Sequence, residues 1–238
     1  MTYDPINQPA MTATADRVVD AGLQSHMRSV YNNMIWGLAL TGATAFGVAN
    51  IPALYAMATG PMHIVFAFAP LAFLWFGMSP SRMMRMDSGK AFGMFMLFCV
   101  LMGISFSTVF AVYSGASIAR TFFITSATFA GMSLWGYTTK RDLSGMGHFM
   151  IMGMMGLFIA MIVNMFLESA MVHFVVSAIG VVVFTGITAW ETQVIKETYA
   201  AGHGRETNSK LAIIGALSLY MGFVNLFQFL LAFTGQRD

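Results

Sequence analysis

Apolar residues in this chain come in long unbroken runs rather than in alternation. Seven such runs cover residues 34–58, 62–79, 91–113, 118–137, 147–167, 171–190 and 211–233. A bilayer core takes roughly 17–25 apolar residues as a helix, whereas barrel strands show short alternating segments. The pattern therefore predicts an all-α fold, a bundle of seven transmembrane helices. Pro70 predicts a kink in the short second run, and Pro80 marks its end. Residues 1–33 are polar, with Asp4, Asp16, Arg17, Asp20 and Arg28. They lack the short charged start and apolar core of a cleaved signal peptide. The chain thus divides into a polar N-terminal segment, 1–33, and a membrane domain, 34–238. No internal repeat is visible, so an inverted-repeat transporter plan has no support.

Composition agrees with the runs. The chain is 57% hydrophobic and 9% charged, against about 25% charged in soluble domains, so most of it belongs in lipid. A net charge of +2 gives no ground for a nucleic-acid partner. Lys and Arg then set the orientation. Ten of the twelve fall in the N-terminal segment and in the second, fourth and sixth connections; only Arg120 and Arg237 fall on the other side. The N-terminus is expected in the cytoplasm and the C-terminus outside, in a multi-pass protein of the cell (inner) membrane.

Few residues offer chemistry. Cys99 is a lone cysteine, and the five histidines are scattered without ligand spacing. The 23 methionines are soft enough to hold copper(I), but flexible methionine also fills irregular gaps between helices. Small residues at four-residue spacing (Thr41, Ala45 and Ala49; Gly103, Ser107 and Ala111) form packing seams. No intramembrane serine-protease motif, retinal lysine or phosphate loop is present, so no enzymatic activity and no cofactor are expected.

The costly residues are acids and amides at membrane depth. Glu191 closes the sixth run, and Trp190, Val194, Ile195 and Tyr199 fall roughly on one face of its extension. The helix is expected to leave the membrane there as an amphipathic stretch ending near Gly202. Glu191 then lies at the membrane boundary, either inside the bundle or as an interfacial acid paired with Lys196 or Arg141. Asp142 reads as a loop charge or helix cap, and Glu168 as a surface charge in a turn. Asn164, Asn225 and Gln228 read as hydrogen-bonding glue between helices.

Three segments carry a resemblance. They are Phe184-Thr-Gly-Ile-Thr-Ala-Trp-Glu-Thr-Gln193, Gly215-Ala-Leu-Ser-Leu-Tyr-Met-Gly-Phe-Val-Asn-Leu-Phe227 and Gly136-Tyr-Thr-Thr-Lys-Arg-Asp-Leu-Ser-Gly145. Together they resemble the Bax inhibitor-1, or transmembrane Bax-inhibitor-motif, family, and the chain looks like a bacterial member. The likeness implies a central seventh helix wrapped by the other six. It also implies a pH-sensitive calcium leak gated by two aspartates, one on each of the last two helices. Here the first position is Glu191 and the second is Gly222, so half of the pair is absent. Ion-gate candidates are Glu191, Gly222, Asp142, Arg141 and Asn225, with calcium as the weakly implied ion. The alternative is a non-conducting interaction protein, a modulator or partner of a membrane-anchored AAA protease or another membrane complex, gripped by its polar N-terminal segment.

Overall fold

A computed structural model describes the backbone of residues 8–60 and 63–236, and side-chain surroundings from residue 21 on with Ala111 excepted. The side chains of Asp4, Asp16, Arg17, Asp20 and Arg237 lie outside the described residues. Among those described, all regular structure is helical: α1 Gln8–Asn50, α2 Pro52–Thr59, α3 His63–Gly77, α4 Pro80–Arg85, α5 Ser88–Phe106, α6 Val109–Val112, α7 Gly115–Thr138, α8 Ser144–Leu167, α9 Ala170–Thr198 and α10 Gly204–Thr234.

Local chemistry sets the boundaries. Asp87, Ser114 and Ser169 cap α5, α7 and α9, each accepting from a backbone N–H three residues on. Pro52 and Pro80 open α2 and α4, where a missing N–H costs nothing. Two expected runs are broken. The first turns by 101° after Asn50, because Pro52 pushes Ile51 out of the helical region. The third stops at Ser107 and Thr108, whose hydroxyls donate to Ile104 O and Ser105 O and compete with the helix ladder. Pro70 stands inside α3 without interrupting it. Each of the seven runs contains helix. Among the described residues four helices are long and apolar enough to cross a membrane, or five when α1 and α2 count as one bent span. At 1.5 Å per residue the 15-residue α3 reaches only about 22 Å, and the Ser- and Thr-containing α7 falls short in apolarity rather than length.

The last helix is the hub. α10 packs against α9, α1, α7, α5 and α4, while α8 rests on α9 and α3 on α5. So the C-terminal helix is central, and α3 and α8 pack mainly on α5 and α9 as an outer layer. α8 buries only Gly147 and Leu157 fully; its phenylalanines and Met152, Met155, Met161 and Met165 are exposed, while Met150 and Met154 pack against the core. The connections predicted to be basic gather at one end. Ser88 donates to Glu206 there, Lys196 to Tyr137 O and Gln193 to Arg141 O. Tyr113, Ser114 and Gln236 meet at the other.

Two helix backbones approach closely where α7 crosses α9. A Cβ on Gly136 would sit 2.1 Å from Ala189 O, whereas one on Gly131 meets nothing within 4 Å. Gly136→Ala should therefore force two backbones apart and cost about 1–3 kcal/mol. Gly131→Ala should be neutral or slightly stabilising. Thermal unfolding in mild detergent compares them; equal melting points would contradict the crossing.

Candidate functional site

Packing on α1, α7 and α10 decides which face of α9 is inside. Thr188, Ala189, Thr192, Gln193 and Ile195 are buried, the spacing of one helical stripe. This corrects the expected face: Val194 is exposed, and Trp190 and Tyr199 are only half-buried. The end of the helix also shifts. α9 stops at Thr198, where the side chain turns back to Ile195 O, and Gly202 lies in a short 3-10 turn rather than capping it.

Glu191 points into the bundle. Ser218 Oγ on α10 donates to its Oε1 at 2.7 Å. Its Oε2 is sealed from solvent and finds no hydrogen-bond partner among the described residues. Gly222, one turn beyond Ser218, presents bare backbone to that oxygen, and a Cβ there would lie 3.1 Å from Oε2. Thr188, one turn before Glu191 on α9, brings its hydroxyl 3.9 Å from the same point. The interfacial reading fails on both proposed partners. Lys196 Nζ donates to Tyr137 O at 2.9 Å and sits 5.8 Å from the centre of its ring. Among the described residues Arg141 has no carboxylate within 4.0 Å; its backbone binds Thr139 and Gln193.

The remaining candidates are dispersed. Asp142 is exposed and accepts from Ser144 N at 2.8 Å. The Ser144 hydroxyl and backbone N–H hold its carboxyl below the usual carboxylate range. Asn225 donates to Met221 O on its own helix, so it is not interhelical glue. Gln228 is exposed, and Asn164 accepts from Ser169 N across the turn at Glu168. The structure thus unites Glu191 with Gly222, whereas the hydrogen bonds of Asp142, Arg141 and Asn225 go to other groups, although Asn225 lies within one turn of Gly222 on α10.

Sequence reasoning missed the hydroxyls around the acid. Tyr31 on α1 bonds Ser133 on α7 at 2.7 Å, and Ser133 bonds Thr192 on α9 at 2.9 Å. Thr192 is the residue after Glu191, so a polar seam crosses three helices beside it. Ser and Thr four residues from another small residue (Thr188 with Thr192, Ser218 with Gly222) were the available signal. Glu191, Ser218 and Thr188 together offer a cation four oxygens. Calcium takes 6–8, so these residues suit transient contact better than storage.

Comparison with known proteins gives the family of the chain. The family model described as "Inhibitor of apoptosis-promoting Bax1" matches residues 23–238. An uncharacterized protein of Rickettsia prowazekii is 42% identical over 233 residues, covering 95% of each chain. One from Caulobacter vibrioides is 40% identical over 232 residues, covering 93% of this chain and 92% of the relative. The inner membrane protein YbhL of Escherichia coli is 40% identical over 221 residues, covering 91% and 94%. With apolar helices around a buried C-terminal helix, and a family match over nearly its whole length, the chain is a membrane protein and belongs to the Bax inhibitor-1 family.

Proposed function

We propose that the protein lets cations, calcium foremost, leak across the inner membrane, with Glu191 at the gate and no catalytic reaction. The observation that carries this reading is the single unpartnered carboxyl oxygen of Glu191, buried against Gly222 and Ser218. A charged group that deep is expensive unless an ion or a proton visits it. Lacking a fixed counter-charge among the described residues, it can meet a mobile one. In this reading all seven runs cross the bilayer, the basic end faces the cytoplasm and the C-terminus lies outside.

Proteoliposomes loaded with a calcium dye test it. The wild type should leak calcium, and Glu191→Gln, which keeps the shape and removes the charge, should change the rate by several-fold or more. No leak through intact vesicles at any pH from 6 to 8 removes the proposal.

A second reading has its own support. α1 is 43 residues long, about 64 Å at 1.5 Å per residue, roughly twice the hydrocarbon thickness. Such a helix can project beyond the bilayer as a handle for a partner such as a membrane-anchored AAA protease, with no conduction. Recovery of a stoichiometric partner from native membranes in mild detergent, with no leak in vesicles, favours this role.

A further inference from the structure

Between α1 and α7 the bundle does not close. The two helices scarcely touch, and a cavity of about 760 Å³ opens between them, within the size range of small-molecule sites. Its floor is apolar and buried: Met27, Met34, Phe129 and Phe223 are each at most 6% exposed. Its rim faces the surroundings of the bundle, with Ile35 57% and Leu134 63% exposed. From Gln24 to Ile35 it runs about 16 Å along α1.

The two ends differ in chemistry. Toward the middle of the bundle the lining is Ile35, Ser126, Phe129, Ala130 and Phe223; toward the basic end it is Gln24, Arg28, Asn32 and Tyr137. Among the described residues Arg28 has no carboxylate within 4.0 Å. Lys196 lies against Tyr137 at the same mouth, and Lys140 and Arg141 follow Tyr137 closely in the chain. Of the acids adjoining these cations in sequence, Asp142 is engaged by Ser144, and Glu197, next to Lys196, is exposed. The groove is therefore long and greasy at one end, and cationic with amide donors at the other.

From this charge and shape complementarity we infer that the α1–α7 groove is a binding site for one anionic phospholipid. The phosphate lies at Arg28 with Lys196 nearby, and an acyl chain runs over Phe129 and Phe223. An opening lined on its outer rim by apolar side chains is reached from the bilayer rather than from water. Arg and Lys at the polar end then select anionic over zwitterionic headgroups. The headgroup end rests on the Tyr31–Ser133–Thr192 hydrogen-bond chain. Lipid selection at this site does not depend on whether the protein conducts.

Native mass spectrometry of the purified full chain tests the site, titrating phosphatidylglycerol against phosphatidylcholine of the same acyl chains. One saturable phosphatidylglycerol adduct is expected, about fivefold or more tighter than the phosphatidylcholine adduct, the scale of one basic residue at an anionic surface. Inorganic phosphate should not displace it. Arg28→Gln should abolish the preference. Ala130→Trp, at an exposed groove position, should block the adduct while leaving every charge in place. Both substitutions lie at exposed positions, so unchanged helix content and elution volume confirm folding. Equal retention of the two lipids overturns the inference, as does an adduct that survives Ala130→Trp. So does a dimer that Ala130→Trp breaks while no lipid is retained, which would place a second copy in the groove.

Discussion

Gly222→Asp is expected to make the leak steeply pH-dependent. A Cβ at residue 222 stands 3.1 Å from Glu191 Oε2, so a small shift of the flexible glutamate accommodates it and puts two carboxyls in contact. Two unit charges 4 Å apart repel by about 4 kcal/mol at an effective dielectric of 20, so the pair loses its two protons about three pH units apart. Ser218 already occupies Glu191 Oε1, and no cation stands within 4.0 Å among the described residues to cancel the repulsion. Calcium flux should then vary with pH more steeply than in the wild type, whose lone acid has no carboxyl partner. Gly222→Asn has the same shape without the charge and should keep the wild-type profile. If the Asp and Asn variants trace the same curve from pH 5 to 9, Glu191 and position 222 do not form a gate.

That prediction was half visible in the chain itself. Glu191 and Gly222 could be named because family motifs surround both, yet neither periodicity nor composition showed that they meet. Their contact depends on the crossing of α9 and α10, which rests on Ser218 and Gly222 being small enough for close approach. The apolar runs were legible because lipid demands long uninterrupted stretches. Their breaks at Asn50 and Ser107 were not, because Pro52 and two hydroxyls act over one or two residues inside otherwise continuous greasy sequence. The inward face of α9 was misjudged for a related reason. Large apolar residues such as Val194 can face lipid, and small polar ones such as Thr192 can face protein, the reverse of the pattern in water. In a bilayer, burial follows close fit and hydrogen bonding more than hydrophobicity. The same reversal hid Tyr31 and Ser133, which carry the polar seam.

The largest loss of stability should come from Tyr220→Ala. Tyr220 is fully buried in the middle of α10. Its ring meets Phe95 and Phe98 of α5 edge-on, with centroids 5.8 and 5.9 Å away. Its hydroxyl lies 2.7 Å from Thr41 Oγ1 on α1, which in turn reaches Cys99 O on α5 at 3.0 Å. One side chain therefore ties three helices together, and truncating it leaves a cavity where they converge. Aromatic-to-alanine changes in cores cost about 3–5 kcal/mol, which for a chain of this size lowers the melting temperature by about 6–20 °C. Tyr220→Phe removes only the hydroxyl. Thr41 still donates to a backbone carbonyl, so the cost should stay near the 0.6 kcal/mol or so typical of interhelical hydrogen bonds in membranes. Thermal unfolding in mild detergent separates the two, and the ordering is the test. A Phe variant as unstable as the Ala variant would shift the weight from ring packing to the hydrogen bond. An Ala variant as stable as the wild type would mean that α10 is not the helix on which the bundle is assembled.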